Sequence, residues 1–272
     1  MLVLGASSPV GQFLLNRLDG QGIWLMAVSR RPPPTAMAHV VGLQHDLDQG
    51  PANAETSVLI SLGPLKHALA QAEHMPRVGR VIALSSASTC FKLDSTEPAE
   101  RSLIQGLVET EQRLEALCER RGIALTLLKP TLIYGSGRDA NVARLSGLMQ
   151  RLRLVPYCGR GLRQPVHADD LARLIVDCIR LGRASAGVWL LGGGETLNYP
   201  AMLRRIASAS GRPARLLPVP LSLVRLALAG AHRLGRLRDI HGAMLARQRV
   251  DLVVDDQPAR ERLGWDPRPF RP

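Results

Sequence analysis

The chain has 272 residues, 46% of them apolar, enough to bury a substantial core and to exclude disorder as the default. Its formal charge of +12 invites a nucleic-acid reading, but the basic residues are nearly all Arg, are scattered among helices and are not interleaved with aromatics, only 3% of the chain. No nucleic-acid partner is expected, and an anionic phosphate cofactor or substrate accounts for part of the charge.

Cys90, Cys118, Cys158 and Cys178 are widely spaced, with no CxxC pair and no His at metal-ligand spacing, so reduced thiols and no metal are expected. Met1 runs straight into the strand-like Leu2-Val3-Leu4, which leaves no room for a signal or transit peptide and gives a cytoplasmic expectation. The longest apolar stretch, Leu216 to Leu234, is broken by Arg225, His232 and two prolines, so no transmembrane segment is expected.

In chain order, strands are expected near Leu2–Leu4, Ile23–Val28, Val40–Leu43, Ser57–Leu62, Arg80–Leu84, Ala124–Leu128 and Val188–Leu191. A long helix, Ala99–Arg121, separates the fifth and sixth; Leu103, Leu107, Leu114 and Leu117 recur along it at helical spacing and Gly122 ends it. Further helices are expected near Asn141–Leu152, Asp169–Leu181 and Tyr199–Ser210. Strands alternating with helices give an α/β class: a Rossmann doubly wound parallel sheet with a small C-terminal substrate lobe. Residues 1–135, joined by 160–192, form the dinucleotide-binding core; 136–159 and 193–272 form the substrate-facing lobe.

The cofactor reading begins at Gly5-Ala6-Ser7-Ser8-Pro9-Val10-Gly11, a turn between the first strand and a helix start. Gly5 permits the sharp turn, Gly11 lets the helix pack close while free N–H groups at its N-terminus face a pyrophosphate, and Ser7, Ser8, Pro9 and Val10 line the turn; the middle position is Ser8 rather than Gly. After the second strand, Ser29-Arg30-Arg31 stand where an NAD protein usually has an acid. Arg30 can pair with a 2′-phosphate and Ser29 can donate to it, so NADP(H) is preferred, with NAD(H) as the alternative; a solvated Arg pair ahead of three prolines is the plainer reading. Asp46-Leu47 can cap the adenine edge. After the fourth strand Gly63-Pro64 supplies the small residues needed where backbone passes close to a cofactor, and Leu62 just before them is counted with the cofactor residues.

Together with Leu84-Ser85-Ser86, Lys129-Pro130-Thr131-Leu132-Ile133-Tyr134-Gly135, Gln164-Pro165-Val166-His167-Ala168-Asp169-Asp170, Leu263-Gly264-Trp265 and Pro267-Arg268-Pro269-Phe270, this segment resembles the extended short-chain dehydrogenase/reductase family, which includes nucleotide-sugar epimerases and dehydratases. The likeness is nearest to an atypical branch around the NADPH-binding accessory subunit of respiratory complex I. It implies a bound dinucleotide, adds Ser85, Lys129 and Pro130 to the cofactor side, and implies proton chemistry by a Tyr, a Lys four residues on and a Ser or Thr. The helix that should carry the pair reads Arg101-Ser102-Leu103-Ile104-Gln105-Gly106-Leu107-Val108-Glu109, with neither residue, and Ala87 takes the hydroxyl position between Ser86 and Ser88.

Substitute catalytic groups are Tyr134, Ser86, Ser88 and His167, although a packed Tyr134 and a structural His167 are the commoner outcomes. Asn141, Arg144, Arg160 and Arg163 are candidate contacts to a small-molecule substrate. The expected function is an NADP(H)-binding oxidoreductase or epimerase/dehydratase-like protein; the alternative is a non-catalytic dinucleotide-binding sensor or assembly protein. Leu221–Arg238 places Arg225, His232, Arg233 and Arg236 opposite Leu223, Leu226, Ala227, Leu234 and Leu237. Those leucines either cover the lobe or dock on a membrane surface or apolar partner.

Overall fold

In the computed structural model, which describes residues 1–31, 37–137, 139, 142–151, 154–211, 215–233 and 242–272, seven apolar segments make one sheet. They are β1 (Leu2–Leu4), β2 (Leu25–Ser29), β3 (Val40–Gln44), β4 (Val58–Ser61), β5 (Arg80–Leu84), β6 (Ala124–Pro130) and β7 (Gly187–Leu191). They lie side by side in the order β3-β2-β1-β4-β5-β6-β7, and every neighbouring pair is parallel. Near-continuous apolar runs suit such strands because helices cover both faces.

The principal helices are α1 (Pro9–Leu18), α2 (Leu65–His74), α3 (Pro98–Arg120), α4 (Val142–Arg151), α5 (Ala168–Leu181), α6 (Tyr199–Ala209) and α7 (Leu221–Arg233). On one face Val3, Ile60 and Ile82 meet Val10, Leu14 and Leu18 of α1 and Leu171, Leu174 and Ile175 of α5. On the other, Leu2, Leu4, Leu59 and Val81 meet Ala68, Leu69 and Ala72 of α2 and Leu114 and Leu117 of α3. Alternate strand residues thus feed two separate cores.

All seven expected strands are present, displaced by at most two residues at their starts, and β6 runs two residues further, through Lys129-Pro130. Helix α2 was not anticipated, because its buried stripe of Leu65, Ala68, Leu69 and Ala72 is half alanine and carries a weak apolar period. Three strand pairs also escape periodicity: Ile133–Tyr134 with Val166–His167, Leu162–Arg163 with Leu197–Asn198, and Leu154–Tyr157 with Arg215–Pro218. With α4 and α6 they enclose a third core of Tyr134, Val142, Met149, Val155, Leu203, Ile206 and Phe270. Among the described residues no helix is long and apolar enough to cross a membrane, no group of side chains could hold a metal ion, and the four cysteines form no disulfide.

The junction of β1 with α1 fixes the sheet's most crowded point. Gly5 turns with φ +74°, in the left-handed region that favours glycine, and a Cβ there would lie 3.1 Å from the Gly63 nitrogen. A Cβ on Gly11 would lie 2.5 Å from the Gly5 carbonyl oxygen and 2.6 Å from that of Ala6. Gly11→Ala should therefore lower unfolding free energy by roughly 1–3 kcal/mol through overpacking against rigid backbone. Urea denaturation with an unchanged midpoint would show that the helix can withdraw without cost.

Candidate functional site

The direction of strand succession reverses between β1 and β4, and in open parallel sheets ligands settle in the crevice at that point, beyond the carboxyl ends of the strands. The sequence-predicted cofactor residues all fall on this edge. Gly5 to Gly11 follow β1, Ser29 to Arg31 close β2, Asp46-Leu47 follow β3, Leu62-Gly63 follow β4, Ser85 follows β5, and Lys129-Pro130 end β6.

At the centre, Ser8 caps α1: its side-chain oxygen accepts from the Gly11 N–H at 3.0 Å, and its carbonyl accepts from the Gln12 N–H at 3.0 Å. Pro9 has no N–H to give. The expected row of free amides is accordingly thinner than the sequence implied. Among the described residues, the Ser7 and Val10 N–H groups lack a protein acceptor, and the Ser8 hydroxyl hydrogen remains for an anion. The β4 exit abuts this turn, with the Leu62 N–H donating to the Leu4 carbonyl at 3.0 Å. A Cβ on Gly63 would meet nothing within 4 Å, so no protein contact demands glycine there.

The next loop departs from expectation in one atom. The buried Ser29 hydroxyl donates to the Arg31 carbonyl, so it is not available to a 2′-phosphate. Arg30 and Arg31 are exposed, and neither joins an ion pair among the described residues. Asp46 accepts from the Asp48 N–H at 3.1 Å, while Leu47 packs on the α2–α3 face.

Beyond β5 and β6 the side chains are tightly engaged. Ser85 donates to one carboxylate oxygen of Glu111, and Lys129 donates to the other at 2.8 Å, with Glu111 and Lys129 both buried. Pro130 is buried, and its carbonyl accepts from the Ala87 N–H at 2.9 Å. Ser86 accepts from the Ser88 N–H at 3.1 Å, and both serines are half-buried around the fully buried Ala87. On α3, Leu103 is 72% exposed and Leu107 packs against the core. Sequence reasoning missed Glu111, although its place in the stripe Ile104, Leu107, Glu111, Leu114, Cys118 marks an acid that must find a buried partner.

Tyr134 and His167 lie together, with ring centroids 5.0 Å apart, but each is committed elsewhere. Tyr134 is 1% exposed, stacks edge-on to Phe270, and accepts from the Arg271 N–H at 3.1 Å; burial raises its pKa, away from easy ionisation. His167 caps α5, its Nδ1 accepting from the Asp169 N–H at 3.1 Å, which places the proton of the neutral ring on Nε2. Burial and then Arg268 lower its pKa, against the pull of Asp170 and Asp169. Arg163 does not face solvent: it donates to the carbonyls of Leu162 at 2.6 Å, Val250 at 2.8 Å and Arg247 at 2.6 Å, and lies over the Tyr199 ring. Arg160 and Arg144 are exposed, and Asn141 lies outside the described residues.

Comparisons with known proteins agree with this architecture. No protein-family model matches the chain. A UDP-glucose 4-epimerase of Vibrio cholerae is 29% identical over 179 residues, 65% of this chain and 52% of that protein, so the match spans about half the relative's length. The solved structure of MoeE5 in complex with UDP-glucuronic acid and NAD superposes with a TM-score of 0.71 at 20% identity, covering 99% of this chain and 94% of that one. A UDP-glucuronic acid 4-epimerase from Bacillus cereus in complex with NAD gives 0.70 at 14% identity, covering 99% and 92%.

Two outcomes follow from these contacts. Lys129→Ala strands the buried Glu111 carboxylate and should cost about 3–5 kcal/mol, whereas the paired change Glu111→Leu with Lys129→Met should cost far less. A double-mutant cycle showing simple additivity would contradict the coupling. His167, with its pKa lowered in the fold, contributes stability that is complete above its ordinary value near pH 6.5 and is lost as pH falls through the lower folded value. His167→Asn keeps a capping oxygen without the titration, so its Tm should fall less than the parent's on acidification from neutral pH; identical falls would assign the dependence to other groups.

Proposed function

We propose that this chain, which is of the extended short-chain dehydrogenase/reductase type, binds a nicotinamide dinucleotide across Gly5 to Gly11 and prefers NADP(H) to NAD(H). The observation that carries the reading is the Gly5–Gly11 contact at the strand-order reversal, where only glycine fits and the Ser7, Ser8 and Val10 donors remain for a pyrophosphate. Arg30 and Arg31 support the 2′-phosphate preference, since both are exposed beside β2 with no acid between them and no ion-pair partner among the described residues. NAD(H) is the weaker ligand in this reading.

The reaction is of the oxidoreductase or epimerase/dehydratase kind on a small molecule, with altered proton transfer. Ser86 and Ser88 are the preferred hydroxyls for positioning a substrate oxygen, because Tyr134 and His167 are held in packing and capping. Nucleotide sugars are the substrate class to test first, given the Vibrio cholerae relative and the ligands named for MoeE5. Among the substrate candidates, exposed Arg160 and Arg144 suit an anionic group better than Arg163, whose donors are taken by carbonyls. A second reading, a dinucleotide-binding sensor or assembly protein without turnover, is favoured by Leu103 and Leu107 on the helix segment that lacks both Tyr and Lys.

Protein purified without nucleotide should retain or take up NADPH more tightly than NADH. Arg30→Ala should narrow that preference by about tenfold, the loss of one charged hydrogen bond. Equal affinities in the parent protein would remove the NADP(H) assignment. Turnover of UDP-sugars that is slow and falls further in Ser86→Ala or Ser88→Ala supports catalysis; tight dinucleotide binding with no turnover supports the sensor reading.

A further inference from the structure

The scattered arginines are unevenly distributed once counted by segment. Residues 140–168 contain five Arg and residues 196–238 eight, with no Asp or Glu in either. The remainder holds the other 22 of 35 basic residues against all 23 acidic ones, a balance of −1. The whole net positive charge therefore falls in two segments that include the strand pair Leu154–Tyr157 with Arg215–Pro218 and helix α7, although Arg163 and Arg205 within them are taken up by carbonyls and by Glu195.

The same corner exposes large apolar side chains. Parallel register sets Arg215 beside Leu154, Leu216 beside Val155 and Leu217 beside Pro156. Val155 enters the third core with Leu216 against it, so the alternate positions turn outward. Leu154 is 55% exposed and Leu217 49%, with Pro156 and Arg215 also exposed on that side. Through Pro218-Val219-Pro220 the chain then enters α7, where Leu223 is 56% exposed and Leu226, one turn on, 72%. Leu223 and Leu226 therefore do not cover the lobe, while Leu234, Arg236 and Leu237 and the side chains of Arg225, Ala227, His232 and Arg233 lie outside the described residues.

We propose that this corner is a docking surface for an anionic phospholipid membrane. Exposed leucines on a strand edge and a helix turn match the acyl boundary, and the exposed Arg215 among them, in segments that carry Arg and no acid of their own, matches lipid phosphates. A nucleic acid would use the charge but leave the leucines without a role, and exposed aromatic side chains on which bases could stack are missing here among the described residues. Docking is peripheral and needs no part of the dinucleotide site.

The test floats the full chain with phosphatidylcholine vesicles, with and without phosphatidylglycerol, at low and high salt. Binding should be about tenfold greater on anionic vesicles and should fall steeply with salt. Leu223→Gln with Leu226→Gln, and separately the exposed Arg215→Glu, should each reduce binding about tenfold while circular dichroism and dinucleotide titration stay at parent values. Failure to bind anionic vesicles at low salt overturns the proposal. So does undiminished binding by correctly folded leucine variants, which would mean charge alone. An RNA duplex bound in place of vesicles would identify a nucleic-acid partner instead.

Discussion

The close approach of α1 to the turn after β1 is the constraint on which the remaining geometry hangs. With no Cβ at Gly11, the helix start rests on the Gly5 and Ala6 carbonyls, and the rest of α1 is laid across the sheet against α5. In the last turn of α1, Arg17 reaches Asp169 at the start of α5, 2.6 Å away. That hydrogen bond, reinforced by Arg268, holds the Asp169 carboxyl at about 2 despite partial burial. An acid at a helix N-terminus is favourable in itself, so α5 is fixed by its own dipole as well as by its neighbours.

From α5 the constraint passes to the end of the chain. Arg268 donates its backbone N–H to one oxygen of the buried Asp170, 3.0 Å away, and its Nε to the other at 2.9 Å. Trp265 donates to the Gly192 carbonyl at 2.9 Å, and a Cβ on Gly194 would fall on the Pro267 carbonyl. Phe270 then closes over Tyr134. The segments Gln164 to Asp170 and Leu263 to Phe270, far apart in sequence, are two halves of one docking contact. Without the Arg268 segment the buried Asp170 carboxylate would be left unpaired.

Legibility in the sequence followed the physical range of each signal. Strands β1 to β7 could be read because a buried parallel strand is a short apolar run whatever surrounds it, and Gly5 and Gly11 could be read because a steric demand selects one residue type. Helix α2 and the two- to four-residue strands could not, since an alanine stripe or two residues carry no period. Within the site, the choice between functional and structural roles was decided by partners that residue type does not name, some distant in sequence and some two residues away. Tyr134 meets Arg271, His167 meets the amide of its own helix, Arg163 meets carbonyls some 84 and 87 residues away, and Ser29 meets a carbonyl two residues on. Residue type alone does not specify any of these pairings.

The Glu111–Lys129 pair explains how helix α3 keeps its place whatever its outward side chains are. Helix α3 is held to the sheet by Leu114, Leu117 and Cys118 and by a carboxylate that takes Lys129 from β6 and Ser85 from the β5 exit. None of these anchors lies between Arg101 and Glu109, the segment without Tyr or Lys. Within it Ile104 is buried and Leu107 packs on the core, but outward positions such as the solvent-exposed Leu103 can change without releasing the helix. A site defined by backbone, such as the Gly5 turn, is sustained by packing that the whole fold requires; chemistry defined by exposed side chains has no such protection. Features built from backbone and features built from exposed side chains are therefore separable in this architecture, the first tied to the fold's stability and the second to residues that contribute little to it.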